Sequence, residues 1–333
     1  MLASRDSFGD RYRPLTEREH AAASVLPVRL TTRWAALGLV LIASLTACAH
    51  RSTHATGAVP VGSSSQGLES GGRSRTFDVY RPARLPAPAP LVVMLHGGFG
   101  SAAQAERSYG WDAEADRGHF VVVYPDGLNR AWNAGGGCCG TPGSSGVDDV
   151  GFIESAIATV RREMAIDARR IYVTGISNGG MLAYRLACDT TTFAAIGPDS
   201  ATQLGTCPLP APVSVIHIHG TADRNIPYGG GRGDGYARID GPAVAAVVAS
   251  WRAVDSCAEP IAVTVGAVTT SAATCPDGRA VELITIEGAG HQWPGSPSRP
   301  VIEKVLGLDP PSRALDATDV IWQFFASHPK PAS

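Results

Sequence analysis

Charge is scarce in this chain. Asp, Glu, Lys and Arg make up 17% of its 333 residues, the formal net charge is -2, and no stretch gathers Lys and Arg into a patch. That excludes the electrostatic footprint of nucleic-acid binding, which needs clustered cations to displace counterions from phosphates. Long apolar runs are missing too. The most extended is the 12 residues Trp34–Leu45, well short of the roughly 20 that a helix needs to cross a bilayer. No fixed-period repeat is present, which excludes a solenoid or propeller, and no composition shift marks a second domain. With no C-x-x-C pair and no histidine at ligand spacing to a cysteine, neither a metal site nor any other cofactor is expected.

What is present is an ordinary globular profile, 44% hydrophobic, with enough apolar material for one large core. The start is different in kind. Residues 1–33 are polar and Arg-rich and lead, past Arg29 and Arg33, into the apolar run 34–45, which has the length of a signal-peptide core. Leu45-Thr46-Ala47-Cys48 then resembles a bacterial lipobox, so residues 1–47 are expected to be a signal region and Cys48 an acylated first mature residue. A chance cysteine after an ordinary secretory signal is the alternative. Residues 48–73 are rich in Ser, Gly, His and Thr without periodicity and are expected to be a flexible tether. The protein would then be exported, touching a membrane only through its lipid, and monomeric.

Setting Cys48 aside leaves six cysteines in a chain bound for an oxidising compartment. Nearness in sequence favours Cys188–Cys207 and Cys257–Cys275, each closing a loop that could add about 3 kcal/mol. Adjacent Cys138 and Cys139 could bond to each other or stay reduced.

From residue 74 to 329 the pattern alternates strands and helices. Strands are expected at 76–80, 90–95, 120–124, 193–196, 213–218 and 281–286, helices at 102–116, 147–165, 243–254 and 317–327, a Gly-rich loop at 125–146 and a hairpin at 261–274. This is an α/β chain with a doubly wound, mostly parallel sheet and helices on both faces, whose ligand site belongs at the carboxyl ends of the strands. One stretch organises it. Arg170-Ile-Tyr-Val-Thr-Gly175-Ile-Ser177-Asn178-Gly179-Gly-Met181 reads as a strand, a Gly-x-Ser-x-Gly turn and a helix. That is the context in which such a serine stands exposed as a nucleophile, with the helix N-terminus beneath it favouring negative charge. Gly175 and Gly179 are expected because a Cβ there would strike the neighbouring strand or helix.

The order nucleophile, acid, histidine then narrows the partners. Only His291 and His328 follow the candidate acids, and His328 lies past the last helix, so His291, directly after strand 281–286, is the base. Asp223, after strand 213–218, is the first choice of acid and Asp199, after strand 193–196, the second; the remaining carboxylates are expected to be solvated. An oxyanion hole needs main-chain donors after the strand ending at Leu95. Gly98 or Phe99 would supply one N–H and Asn178 the other, with His96 packing the loop.

With those residues in place, the chain from about Arg75 to Pro329 resembles the polyhydroxybutyrate depolymerase-like esterases, which merge with the feruloyl and acetylxylan esterases of carbohydrate esterase family one. The resemblance is carried by His96-Gly-Gly98, Tyr124-Pro-Asp-Gly127, Trp132-Asn-Ala-Gly-Gly-Gly-Cys-Cys139, Val147-Asp-Asp-Val-Gly-Phe152, Gly175-Ile-Ser-Asn-Gly-Gly-Met181, His219-Gly-Thr-Ala-Asp223 and Gly290-His-Gln-Trp-Pro-Gly295. It implies an α/β-hydrolase fold and a serine esterase acting through an acyl-enzyme, with no cofactor, on hydroxyalkanoate, feruloyl or acetyl esters. Trp132 and Trp293 would flank the cleft, although Trp132 serves equally as loop packing. Without a separate substrate-binding domain in view, small or oligomeric esters are expected over polymer granules. A non-catalytic binding protein on the same fold and a serine peptidase are the alternatives; the complete Ser, Asp and His set argues against the first, and the lack of an evident lid or propeller against the second.

Overall fold

The computed structural model describes residues 58–301, 303 and 309–331. The expected signal region, the lipobox with Cys48 and the first part of the expected tether lie outside them.

The apolar runs become the centre of a ten-stranded sheet. Its strands are β1 (Gly62–Ser70), β2 (Arg73–Arg81), β3 (Ala89–Leu95), β4 (Val121–Pro125), β5 (Ile166–Ile176), β6 (Ala195–Asp199), β7 (Ser214–Gly220), β10 (Ile261–Val265), β11 (Val268–Thr274) and β12 (Ala280–Ile286); β8 (Gly231–Arg232) and β9 (Asp240–Gly241) form a separate small ladder. The order across the sheet is β1-β2-β4-β3-β5-β6-β7-β12-β11-β10. The inner six, β4 to β12, run parallel, and each margin is an antiparallel hairpin. Strands β3, β4, β6 and β7 are buried along their whole length, as parallel strands covered on both faces must be.

Alternation divides the core. Leu91, Val93 and Leu95 point to the face covered by α4 (Asp149–Glu163), α5 (Asn178–Asp189) and α6 (Val244–Val254), while Val92 and Met94 point to the face covered by α1 (Ala102–Ser108), α2 (Trp111–Gly118) and α7 (Ala317–Ser327). This is the α/β-hydrolase arrangement.

Four expectations are corrected. The tether does not extend to residue 73: residues 62–70 form β1, paired antiparallel with β2 from Gly62↔Arg81 to Ser70↔Arg73. Its alternating half-exposed pattern carries few apolar side chains, so no hydrophobic period announced it. The single helix expected over 102–116 is two, broken at Gly110, whose φ of 74° is left-handed. The loop 125–146 contains a short helix, α3 (Gly140–Ser144). And not every other carboxylate is solvated: Asp149 is buried, pairs with Arg75 at 2.8 Å and accepts the Asn133 N–H at 2.7 Å, fastening the Gly-rich loop to β2.

Disulfides join Cys188 to Cys207, Cys257 to Cys275 and Cys138 to Cys139. The first closes the end of α5 over β6 across 19 positions and the second closes the β10–β11 hairpin across 18. A loop of that size restricts the unfolded chain by about 3 kcal/mol. The double variant Cys188→Ala/Cys207→Ala is therefore expected to melt several degrees lower by calorimetry without reductant; an unchanged midpoint would show that this loop closure adds nothing.

Candidate active site

Ser177 sits between β5 and α5 with φ 56° and ψ -123°, a backbone conformation that a non-glycine residue holds only under constraint. The constraint is visible on both sides. A Cβ on Gly179 would lie 2.4 Å from the Leu95 carbonyl oxygen, and one on Gly175 2.7 Å from the Gly179 carbonyl carbon, so the turn can close against β3 only with glycine at both positions. The Ser177 N–H donates to the Asp199 carbonyl at 2.9 Å, and its own carbonyl accepts from Met181 N–H at 2.8 Å, starting the helix.

Asp223 follows β7 and His291 follows β12, neighbours in the sheet, and β6 alone separates β7 from β5. The three residues thus follow the carboxyl ends of parallel strands at one end of the sheet, with β7 two and β12 three strand spacings from β5. His291 Nδ1–H donates to Asp223 Oδ2 at 2.7 Å. The other carboxylate oxygen, Oδ1, accepts the backbone N–H groups of Asn225 at 2.8 Å and Ile226 at 2.9 Å. Burial by itself pushes the Asp223 carboxyl upward, but the hydrogen bonds of His219 and His291 outweigh it and hold the group well below the usual carboxylate range. Asp223 is therefore an anion that can orient the imidazole and stabilise its protonated form. His291 is held from behind as well, its N–H donating to Asp309 at 2.9 Å.

Asp199 is different although one strand away. Its side chain is fully buried, neither carboxyl oxygen has a hydrogen-bond partner among the described residues, and burial first, with Asp223 adding to it, raises it well above the usual range despite Ser200. What Asp199 gives the site is its backbone carbonyl under Ser177.

The oxyanion loop requires one correction. The Phe99 N–H already donates to the Arg130 carbonyl at 2.8 Å, so it is not available to a substrate. Among the described residues the Gly98 N–H has no such partner, and the Asn178 N–H, in the first turn of α5, is similarly uncommitted. The Asn178 side chain has a second task. Its amide oxygen accepts from Trp132 N–H at 2.7 Å and its amide nitrogen donates to the Trp132 carbonyl at 3.1 Å, tying the Gly-rich loop to the elbow.

Trp132 and Trp293 do not line a cleft: their exposures are 0% and 1%. Trp132 donates its indole N–H to the His96 carbonyl at 2.8 Å, and Trp293 donates to Thr318 Oγ1 at 3.0 Å while packing against Tyr109 and Trp111. Both are struts, because an indole that large finds full burial and a hydrogen bond inside these loops. His96 is the packing residue expected; it is buried, its Nδ1–H donates to the Gly97 carbonyl at 2.7 Å and its Nε2 accepts the Gly127 N–H at 2.9 Å. Among the described residues the exposed aromatics are Phe99, at 66%, and Tyr236, at 90%, in edge-to-face contact at 5.4 Å. Sequence reasoning named Phe99 only as a main-chain donor and passed over its ring, Tyr236 and Asp309, because no periodicity or spacing marks a loop side chain. Among the described residues no group of three or more His, Cys, Asp or Glu could hold a metal.

The chain matches the family model described as Esterase PHB depolymerase over residues 77–258. It is 31% identical over 265 residues to "Putative esterase NocK" of Nocardia uniformis subsp. tsuyamanensis, covering 69% of this chain and 74% of that protein. It is 29% identical over 220 residues to "Feruloyl esterase B" of Piromyces equi, covering 61% of this chain and 39% of that one, and 36% identical over 122 residues to "Poly(3-hydroxyalkanoate) depolymerase C" of Paucimonas lemoignei, covering 35% and 27%. The chain thus spans most of the first relative and well under half of the other two. An acetyl xylan esterase from Aspergillus awamori superposes with a TM-score of 0.54 at 14% identity, over 79% of this chain and 99% of that one, which is a likeness of fold. The chain belongs to the esterase PHB depolymerase family and is a carboxylic ester hydrolase of the serine type.

Proposed function

We propose that Ser177 is the nucleophile of this hydrolase, His291 its general base and Asp223 the acid that orients the base. The observation that carries the reading is the 2.7 Å bond from His291 Nδ1 to Asp223 Oδ2, on the same end of the sheet as a serine held at positive φ on a helix N-terminus. Because Nδ1 donates to the carboxylate, Nε2 of the neutral ring is left as an acceptor for the serine proton. The serine oxygen attacks the ester carbonyl, the N–H groups of Asn178 and Gly98 receive the oxyanion, and His291 returns the proton to the departing alcohol. Water, deprotonated by the same base, attacks the acyl-enzyme and releases the acid. No step calls on a cofactor.

Two exposed rings beside the proposed oxyanion loop support one substrate class. The relatives named above are a feruloyl esterase and a hydroxyalkanoate depolymerase, and the chain is also 31% identical over 159 residues to "Bifunctional acetylxylan esterase/xylanase XynS20E" of Neocallimastix patriciarum, of which it covers 22%. Phe99 follows the proposed oxyanion donor Gly98, and Tyr236 stands in the loop between β8 and β9 that follows Asp223. Two exposed rings there suit a flat acyl group, which favours feruloyl-type esters over acetyl esters and hydroxybutyrate oligomers. The protein would act after export, as a monomer, on a small or oligomeric ester, held to a membrane through Cys48.

On p-nitrophenyl esters, Ser177→Ala and His291→Ala are expected to lower kcat by thousands-fold or more. Asp223→Asn should follow them. Asp199→Asn should leave kcat within a few-fold, since it replaces a neutral group by a neutral one. Asp199 also makes a stability claim with a definite sign. Its folded-state pKa lies above the unfolded value of about 3.9, so the native state binds the extra proton and its stability falls as pH rises through that window. Urea melts of Asp199→Asn across the same range should lose that decline. A reversed pattern, with Asp199→Asn inactive and Asp223→Asn active, would exchange the two roles.

For the substrate, methyl ferulate, acetylated xylan and hydroxybutyrate oligomers assayed in parallel should rank in favour of ferulate. Phe99→Ala with Tyr236→Ala should raise KM for ferulate and leave acetyl-ester turnover nearly unchanged; equal effects on both would remove the aromatic subsite. For the anchor, mass spectrometry of the cell-envelope fraction should find a lipid on Cys48 as the first residue, and an unmodified soluble protein would rule it out.

A further inference from the structure

Strand β7 is buried on both faces, yet alternate positions carry imidazoles. His217 and His219 lie on the same side as Val215, both at 0% exposure, with their rings nearly parallel 5.3 Å apart. They belong to a line of hydrogen bonds. Tyr184 Oη, on α5, lies 2.6 Å from His217 Nδ1; His217 Nε2 lies 3.0 Å from His219 Nδ1; His219 Nε2 lies 2.8 Å from the Ile226 carbonyl and 3.4 Å from Asp223 Oδ2, the oxygen that also receives His291.

The protons along this line follow from its acceptor end. A carbonyl and a carboxylate can only accept, so His219 Nε2 must carry a hydrogen, which it donates to the Ile226 carbonyl at 2.8 Å with Asp223 Oδ2 beside it at 3.4 Å. In the neutral ring Nδ1 then accepts, which makes His217 Nε2 a donor and His217 Nδ1 the acceptor of the Tyr184 hydroxyl. With both rings neutral, every ring nitrogen and the phenol has a partner. Burial agrees, lowering His217 well below its usual value and keeping the Tyr184 phenol protonated.

We propose that His219 is a positioning residue of the esterase: with its tautomer set by the Ile226 carbonyl and matched by His217 and Tyr184, its Nε2–H faces the Asp223 carboxylate, holds it so that Oδ2 meets His291 and withdraws part of that oxygen's charge from the base. The titratable groups facing Asp223 are His219, His291 and, from the end of β6, Asp199; those facing His219 are His217, Asp223 and Tyr228, whose ring lies edge-on at 5.9 Å. Removing the His219 donor leaves the full carboxylate charge on His291. The imidazolium then holds its proton more tightly, and the acid limb of kcat/KM moves to higher pH.

The inference rests on the Ser177, His291 and Asp223 reading, and two measurements keep the failures apart. Proton–nitrogen correlation spectra of the wild-type imidazoles should show His217 and His219 as Nε2–H tautomers; an Nδ1–H tautomer or a cationic ring at either position overturns the proposal whatever the enzyme's activity. In kinetics, His219→Leu should lower kcat roughly tenfold or more with KM little changed and shift the acid limb upward, while His219→Gln, which returns an N–H near the Nε2 position, should restore both. If the Leu variant does not fold, Tyr184→Phe, which removes a single remote hydroxyl and leaves His217 Nδ1 without its donor, should loosen the line and lower kcat several-fold at constant KM. An acid limb and kcat that match wild type in His219→Leu, or in Tyr184→Phe where that variant stands in, overturn the proposal, even where Ser177→Ala abolishes turnover and the triad stands.

Discussion

The backbone of Ser177 holds φ 56° and ψ -123°, a conformation that costs about 1–3 kcal/mol and persists only where its surroundings over-determine it. Here the surroundings are three strands. The Leu95 carbonyl presses against Gly179 from β3, the Asp199 carbonyl takes the Ser177 N–H from β6, and β5 delivers the chain through Gly175. None of these contacts involves the serine hydroxyl, so the strain is borne by main chain and the side chain is left to present itself. The fully buried inner strands make that possible, because a turn this tight needs a support that cannot yield.

The same economy governs the loops around the elbow. Asn178 spends its side chain on the Trp132 backbone and leaves its own N–H uncommitted; Trp132 in turn reaches the His96 carbonyl, and His96 reaches Gly127. The oxyanion loop, the Gly-rich loop and the nucleophile turn are thereby one hydrogen-bonded body. Preorganisation of this kind matters because a donor that must rotate into place at the moment of reaction stabilises the developing charge less than one already aimed.

The sequence carried the strands of the parallel centre, since continuous β-branched runs leave no other reading, and it pointed to the proposed triad of Ser177, Asp223 and His291, since each follows such a run in the required order. It did not carry β1, whose Ser- and Gly-rich strand is held by backbone pairing with β2 and has little apolar pattern to detect. Trp132 and Trp293 were misplaced for a related reason. A tryptophan near a motif looks the same in sequence whether it walls a cleft or braces a loop, and only the partner of its N–H distinguishes the two. Phe99 was assigned by its neighbours in the chain, but the Arg130 carbonyl, 31 positions on, claims its N–H.

Asp199 and Asp223 show how little of an acid's role resides in the acid. Both end or follow parallel strands of one sheet, both are buried, and β6 and β7 are adjacent. Burial raises the pKa of each. Asp223 gains two backbone N–H groups, from Asn225 and Ile226, and two imidazoles, so its charge is solvated by the protein in place of water. Asp199 gains no partner for either oxygen among the described residues, so it keeps its proton and its carbonyl does the useful work. The turn Asp223-Arg-Asn-Ile226 supplies the difference, since its backbone folds over Oδ1 as the cap of a helix would. The loop that ends β7, more than the residue it carries, decides which of the two carboxyls can face a histidine as an anion.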